Sequence, residues 1–258
     1  MPTQNIRYIV LPRKLLIVGV GPGSPQYMTG IAIDAINKSQ YIIGYKYTLD
    51  IIENIIDGTK QEVYQVTMQN QESIYQAVYK KMEDGEYCAV PFTGDANFSE
   101  SEVIDRLLEI FGDDNVEVIP GISSIQVASA KSKIPLDKTH VLSFHISDDI
   151  EKKKEELINA IIDKKSVIML PRPWPNDPSR NFMQSDIAKF LRLNGIDTSL
   201  LKVWIFECLT HHNKETVFRG KVIDLEGMSF NPLSVMVIDQ NRRQSYRKFI
   251  PQEQKQKM

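Results

Sequence analysis

Short apolar runs alternate with stretches of helical periodicity along most of this chain. The run KLLIVGV at 14–20 is continuously apolar and stops at glycines, the pattern of a strand buried on both faces. In TGIAIDAINKS, which follows it, Ile31, Ala32, Ala35 and Ile36 share one predicted helical face. QYIIGY predicts a second strand, 48–56 a helix, and EVYQV a third strand. A helix then spans NQESIYQAVYKKMEDG, with Ile74, Val78 and Met82 recurring at i, i+4 and i+8. EYCAVPFTG is the next strand and SESEVIDRLLEIFG the next helix, where Ser99 and Glu102 have the spacing of a capping box. NVEVIPG and ISSIQVASAKSK complete the series. Such alternation predicts a mostly parallel sheet with helices on both faces.

The pattern changes after KIPLDK at 133–138, where Pro135 marks an expected inter-domain linker. Beyond it THVLSFH, KSVIML, LLKVWIF, ETVFRG and PLSVMVI read as strands, with helices at about 150–162 and 182–194. Only a short polar turn separates KVWIF from ETVFRG, so a hairpin and a mixed second sheet are expected. The reading is therefore two α/β domains, 1–135 and 136–240, followed by a polar, basic tail at 241–258 that is expected to fray.

Composition narrows the function classes. Of 258 residues 42% are apolar, enough for a sizeable core. Lys plus Arg (31) nearly balance Asp plus Glu (33), which argues against a partner as charged as nucleic acid. No apolar run approaches the ~18 residues of a membrane helix. The opening segment also lacks a signal peptide's apolar region and cleavage site. Cys88 and Cys208 both sit in apolar runs and imply no disulfide framework. The expectation is a soluble, reduced, cytoplasmic protein with neither a membrane nor a nucleic acid as partner.

Three loops at predicted strand ends carry unusual chemistry, and ligands of open α/β sheets bind at such ends. In GVGPGSP, glycines 19, 21 and 23 allow tight turning and close approach to a ligand. The loop is not a dinucleotide fingerprint, because Ser24 stands at its third glycine position and Pro22 interrupts it. It is not a P-loop either. The helix start expected at Thr29 lies too far on to seat a phosphate. The second loop, TGDANFSES, places Asp95 after Gly94, where a carboxylate can accept hydrogen bonds; a turn aspartate is the plainer alternative. The third, IPGISSIQVASA, brings Ser123 and Ser124 to a helix start, as ligand-binding hydroxyls or simple caps.

In order and separation, GVGPGSPQYMT, the Gly-Asp loop and IPGISSIQVASA resemble the tetrapyrrole (corrin/porphyrin) methylase family over about 14–240. Within that family, IIGYKYTLDII, VEVIPGISSIQVASAKSKIPLDKTHVLSFH and WIFECLTHHNKETVFRGKVIDL are most similar to members that methylate carbon 5 of precorrin-7 or its cobalt form. The resemblance implies that S-adenosylmethionine binds between the two domains and leaves as S-adenosylhomocysteine. The matching cofactor positions would be Val20, Gly21, Pro22 and Gly23, then Gly94, Asp95, Asn97 and Phe98, then Ser123, Ser124 and Ile125. From the second domain they would be Leu170, Pro171, Cys208, Leu209, Pro232 and Leu233. It further implies a tetrapyrrole substrate, a homodimer, and a separate carbon-15 methyltransferase/decarboxylase protein.

Two departures stand out. Relatives usually have Gly-Asp-Pro, an aromatic and a glycine where this chain has Ala96, Asn97 and Phe98 without the proline and glycine. They also often carry Gly-Arg after the histidine of the strand opening domain two, whereas His145 is followed by Ile146, Ser147, Asp148 and Asp149. Arg172 and Arg180 in LPRPWPNDPSR are candidate replacement cations, and Trp174 is either a pocket wall or filler. Lys46, Lys131 and Lys133 are further candidate contacts for substrate carboxylates. His145 is the one candidate catalytic base, the alternative being a hydrogen-bonded strand-end histidine. Cys208, His211 and His212 form C-x2-H-H, but no second cluster completes a metal site, so none is expected. Methylation of another tetrapyrrole or of a protein (diphthine-type), and a non-catalytic cofactor-binding module, stay open as alternatives.

Overall fold

The computed structural model describes residues 12–174 and 177–240. Two five-stranded sheets organise it. The first is wholly parallel, in the order β3-β2-β4-β1-β5: β1 (Lys14–Gly19), β2 (Tyr41–Tyr45), β3 (Glu62–Val66), β4 (Tyr87–Phe92) and β5 (Val116–Ile119). β1 lies between β4 and β5, with Leu15, Leu16, Ile17 and Val18 fully buried, each stabilising by about 2 kcal/mol relative to exposure. On one face α1 (Gly30–Lys38) and α2 (Lys46–Ile52) pack over Leu16, Val18 and Ile42. On the other, α3 (Gln71–Lys81) and α4 (Ser101–Phe111) cover Leu15, Ile17, Ile43 and Val90.

The second sheet runs β6-β7-β10-β8-β9, from β6 (Thr139–Ser143), β7 (Ser166–Leu170), β8 (Lys202–Glu207), β9 (Thr216–Lys221) and β10 (Ser234–Asp239). Only β6 and β7 are parallel, and β8 and β9 form the expected hairpin, so the sheet is mixed. α6 (Glu151–Ile162) and α7 (Gln184–Leu193) cover one face through Leu157, Ile161, Ile187 and Leu191. The chain is thus two α/β domains, as its periodicities predict.

Three local expectations change. The helix α5 (Ser124–Ser132) closes the first series in sequence, yet Ile125, Val127 and Ala128 pack on Ile168, Phe206 and Val235 of the second sheet. Small residues let that helix lie close across the uncovered face. Ile31 is 65% exposed, because the buried stripe of α1 runs through Ala32, Ala35 and Ile36. The Ser99–Glu102 capping box does not form: α4 starts at Ser101 with no side-chain cap. Ser99 sits at φ +88 and its hydroxyl meets that of Ser143 at 2.6 Å, while Glu102 accepts from the Ser147 amide and hydroxyl. A capping box does form at α5, between Ser123 and Gln126. The expected fraying of the tail lies outside the described residues.

Candidate active-site cleft

The chain leaves β1 toward β2 and β4 toward β5, in opposite directions along the first sheet, which opens a crevice at their carboxyl ends. The three predicted loops meet there. Gly21 and Gly94 exchange both backbone hydrogen bonds, at 3.2 and 2.7 Å. A Cβ on Gly121 would stand 2.2 Å from the Gly94 carbonyl oxygen and 2.6 Å from the Gly19 carbonyl carbon. Gly19 and Gly121 are therefore required because three backbones touch. Gly23, at φ +157, lies under the second domain instead, where a Cβ would come 3.0 Å from the Leu209 carbonyl oxygen.

A cleft of about 720 Å³ opens between the two domains over this junction. From the first domain its walls include Pro22, Gly94, Asp95, Phe98, Ser123 and Ser124. The second domain contributes His145, Leu170, Cys208, Leu209, Pro232 and Leu233. Twelve of the residues singled out from sequence are thus brought together. Six are not in the wall. Val20 is core under α1, and Gly21 and Gly23 make the backbone contacts just described. Asn97 is exposed and fixes Asp95, donating to Asp95 Oδ1 from its amide at 2.9 Å and from Nδ2 at 3.0 Å. Ile125 faces the second sheet, and Pro171 offers its carbonyl to the His145 ring.

Sequence reasoning missed Tyr47, Thr93, Ser99, Glu100, Ser234 and Val235, which also line the cleft. GYKY and TGD flagged the neighbourhoods of Tyr47 and Thr93, and the Thr48 and Thr93 hydroxyls lie 3.1 Å apart. Nothing in the sequence distinguishes Glu100 from the acidic residues of α4. Its carboxyl is pushed up to about 7 by burial, with the nearby Glu102 charge adding to the effect. Burial lowers the basicity of His145 and favours the neutral ring, against the bond to Pro171. Its Nε2 is buried with no hydrogen-bond partner, and the ring borders the cleft. Burial likewise raises Cys208 and keeps it a thiol. The cleft therefore offers a neutral imidazole, a carboxyl that is half ionised near neutrality, a fixed carboxylate, hydroxyls and apolar walls.

Other candidates are placed elsewhere. Lys46 pairs with Asp50 at 3.1 Å on an exposed helix face, Lys131 pairs with Glu215, and Lys133 is the left-handed C-cap of α5. His211 and His212 lie in the β8–β9 loop, and among the described residues no group of three His, Cys, Asp or Glu is placed to hold a metal. Arg172 is buried, and both it and Arg180 lie against Trp174.

Residues 14–226 match the family model described as Tetrapyrrole (Corrin/Porphyrin) Methylases. The chain belongs to this family. It is a methyltransferase, as the membership and its relatives' names agree. Among relatives, the probable cobalt-precorrin-7 C(5)-methyltransferase of Methanocaldococcus jannaschii is 30% identical over 237 residues, covering 87% of this chain and 97% of that protein. The fold matches a solved cobalt precorrin-4 methyltransferase with a TM-score of 0.68 at 17% identity, over 87% of this chain and 94% of the other. It also matches the Thermus thermophilus uroporphyrin-III C-methyl transferase, solved in complex with S-adenosyl homocysteine. That match has a TM-score of 0.63 at 15% identity, over 87% of this chain and 91% of the other.

Proposed function

We propose that this tetrapyrrole methylase transfers a methyl group from S-adenosylmethionine to carbon 5 of precorrin-7 or its cobalt form, in cobalamin formation. One observation carries the methyl-transfer reading. Three glycine loops and the strand ends of the second domain converge on a single inter-domain cleft that ends at an unpartnered imidazole nitrogen. The carbon-5 assignment rests on the likeness to the Methanocaldococcus protein, which spans 87% of this chain.

The wall residues suit the cofactor. Phe98, Leu170, Leu209 and Val235 present apolar surface, while Thr93, Asp95, Ser123 and Ser124 present acceptors and hydroxyls. When bound, S-adenosylmethionine supplies an electrophilic methyl group on a sulfonium. The protein's part is then to hold, align and exclude water, which needs no covalent intermediate. Asp95, held by Asn97, accepts hydrogen bonds from the ligand at the first-domain wall. Neutral His145 takes the proton that the methylated macrocycle must lose, and Glu100 is a second acceptor on the same wall. The missing proline of the second loop does not argue for a lapsed site, since Ala96 is fully buried in the first-domain core. The homodimer and the separate carbon-15 protein belong to the same proposal.

Calorimetric titration with S-adenosylhomocysteine tests the cofactor site. The expected result is micromolar binding, about −8 kcal/mol, weakened at least tenfold in Asp95→Ala. Binding no tighter than ~1 mM by the wild type would leave a non-catalytic module as the reading. Incubation with precorrin-7 and its cobalt form then tests the acceptor, and methylation of only a protein substrate would sink the corrin assignment.

A further inference from the structure

A second hollow, of about 770 Å³, adjoins the cleft, and Ser99, Glu100 and His145 line both. These residues form the partition between the two spaces. Ser99 and Glu100 come from the first domain, at the entry to α4, and His145 comes from the second, just past β6. Contacts between the domains hold the partition together. The Ser99 hydroxyl meets that of Ser143, the last residue of β6, at 2.6 Å. Ser143 Oγ also accepts from the His145 amide at 3.2 Å, so one hydroxyl touches both sides of the partition. Just beyond, Glu102 accepts from the Ser147 amide at 2.8 Å and from its hydroxyl at 2.6 Å. Glu100 lies between these two ties.

Ser99 stands at φ +88, a conformation that a residue with a Cβ keeps only where surrounding contacts hold it. Among the described residues, the bond to Ser143 is the one hydrogen bond its side chain makes. Glu100 follows as the N-cap of α4, yet its side chain caps no helix amide. Its carbonyl is already committed to the helix, accepting from the Val103 and Ile104 amides at 3.0 and 2.9 Å. The backbone turn at Ser99 therefore sets where the carboxyl goes, which is into the partition. Burial there favours its protonated form. The surrounding groups do not reverse this. Glu102 of α4 adds a like charge, Tyr45 and Tyr75 approach from β2 and α3 as neutral phenols, and the His145 ring is neutral. Arg106 of α4 pairs with Glu72 at 3.7 Å, and Arg172, across the second hollow, acts on Glu102.

We propose that Ser143 is a positioning residue: through Ser99 it holds the Glu100 carboxyl in the partition, so that a group of the first domain is placed by a contact from the second. The proposal rests on the methyl-transfer reading above only in making Glu100 a group of the reaction. It is independent of the acceptor's identity.

The titration of Glu100 tests the placement with no ligand present. The protein is labelled at its glutamate carboxyl carbons and followed by NMR, with Glu100→Gln identifying the Glu100 signal. The wild-type midpoint should lie near about 7 and fall toward 4.5 in Ser143→Ala, a loss of about tenfold or more in proton affinity. Ser99→Ala should do the same, and the double variant no more than either, because both remove one bond. Ser143→Thr keeps the hydroxyl and should restore the wild-type midpoint. An unmoved midpoint in Ser143→Ala, additive effects of the two alanines, or a threonine variant that titrates like the alanine would each overturn the positioning role. S-adenosylhomocysteine titration of the same wild-type protein keeps the two readings apart. No binding, with Glu100 titrating as expected, would sink the cofactor reading and leave the positioning intact. Normal binding, with Glu100 indifferent to Ser143→Ala, would do the reverse.

Discussion

Glu100 concentrates the residue-scale physics of the cleft. Its carboxyl binds a proton more tightly in the fold (about 7) than at its ordinary value of 4.5. The resulting contribution to stability is full below about pH 4.5 and is lost as pH rises through about 7. Glu100→Gln removes the cost of ionising a buried carboxyl, so it should stabilise the protein by about 1–3 kcal/mol at pH 8 and by little at pH 4.5. Urea unfolding at the two pH values checks this, and parallel shifts at both would refute it. The strained Ser99 just before it, at φ +88, is held by its contact with Ser143 across the domain boundary. Backbone strain of this kind clusters at sites that need a side chain aimed in one direction. Sequence could name Asp95 and His145, whose neighbours follow a pattern. It could not name Glu100, whose burial arises from segments distant along the chain.

Among elements, the loops matter more than the helices they lead into. α1 is capped by Thr29, whose hydroxyl accepts from the Ala32 amide at 3.2 Å, so its first turn is occupied by the protein itself. The glycine-rich segment before it serves to lay three backbones against one another. Gly121→Ala puts a methyl group 2.2 Å from a carbonyl oxygen, with backbone on every side. It should destabilise by about 3 kcal/mol or more and weaken S-adenosylhomocysteine binding. Gly30→Ala, where nothing lies within 4 Å, is the control and should be neutral or slightly stabilising. Equal unfolding midpoints for the two variants would contradict the close-approach argument.

The two domains are tied by contacts between the first glycine loop, α5 and the β8–β9 loop. The Ser24 amide donates to Thr210 Oγ1 at 3.0 Å, Lys131 of α5 pairs with Glu215, and Glu215 also accepts from the Thr210 amide at 2.8 Å. α5 strengthens the tie, since it follows the first sheet in sequence and packs on the second. Thr210→Val keeps the shape and removes the hydroxyl acceptor. It should cost about 1 kcal/mol of stability, and S-adenosylhomocysteine affinity should fall about threefold or more if that tie sets the cleft. Calorimetry and urea unfolding on the same variant separate the two effects. An unchanged affinity would mean that the tie supports the fold without shaping the site.

By itself the sequence determined the strands, most helices, the hairpin and the family, because these depend on local periodicity and on loop motifs that are contiguous in the chain. The family resemblance carried by those motifs also pointed to twelve residues that line the cleft. Only the tertiary structure decided which sheet α5 covers, why Gly19 and Gly121 must be glycine, and that Glu100 is buried enough to hold a proton near neutrality. The pairing of Arg172 and Arg180 over one indole was equally invisible. Each of these depends on which distant segments pack together, and a desolvation penalty, a backbone clash or a charge repulsion exists only once that packing is made.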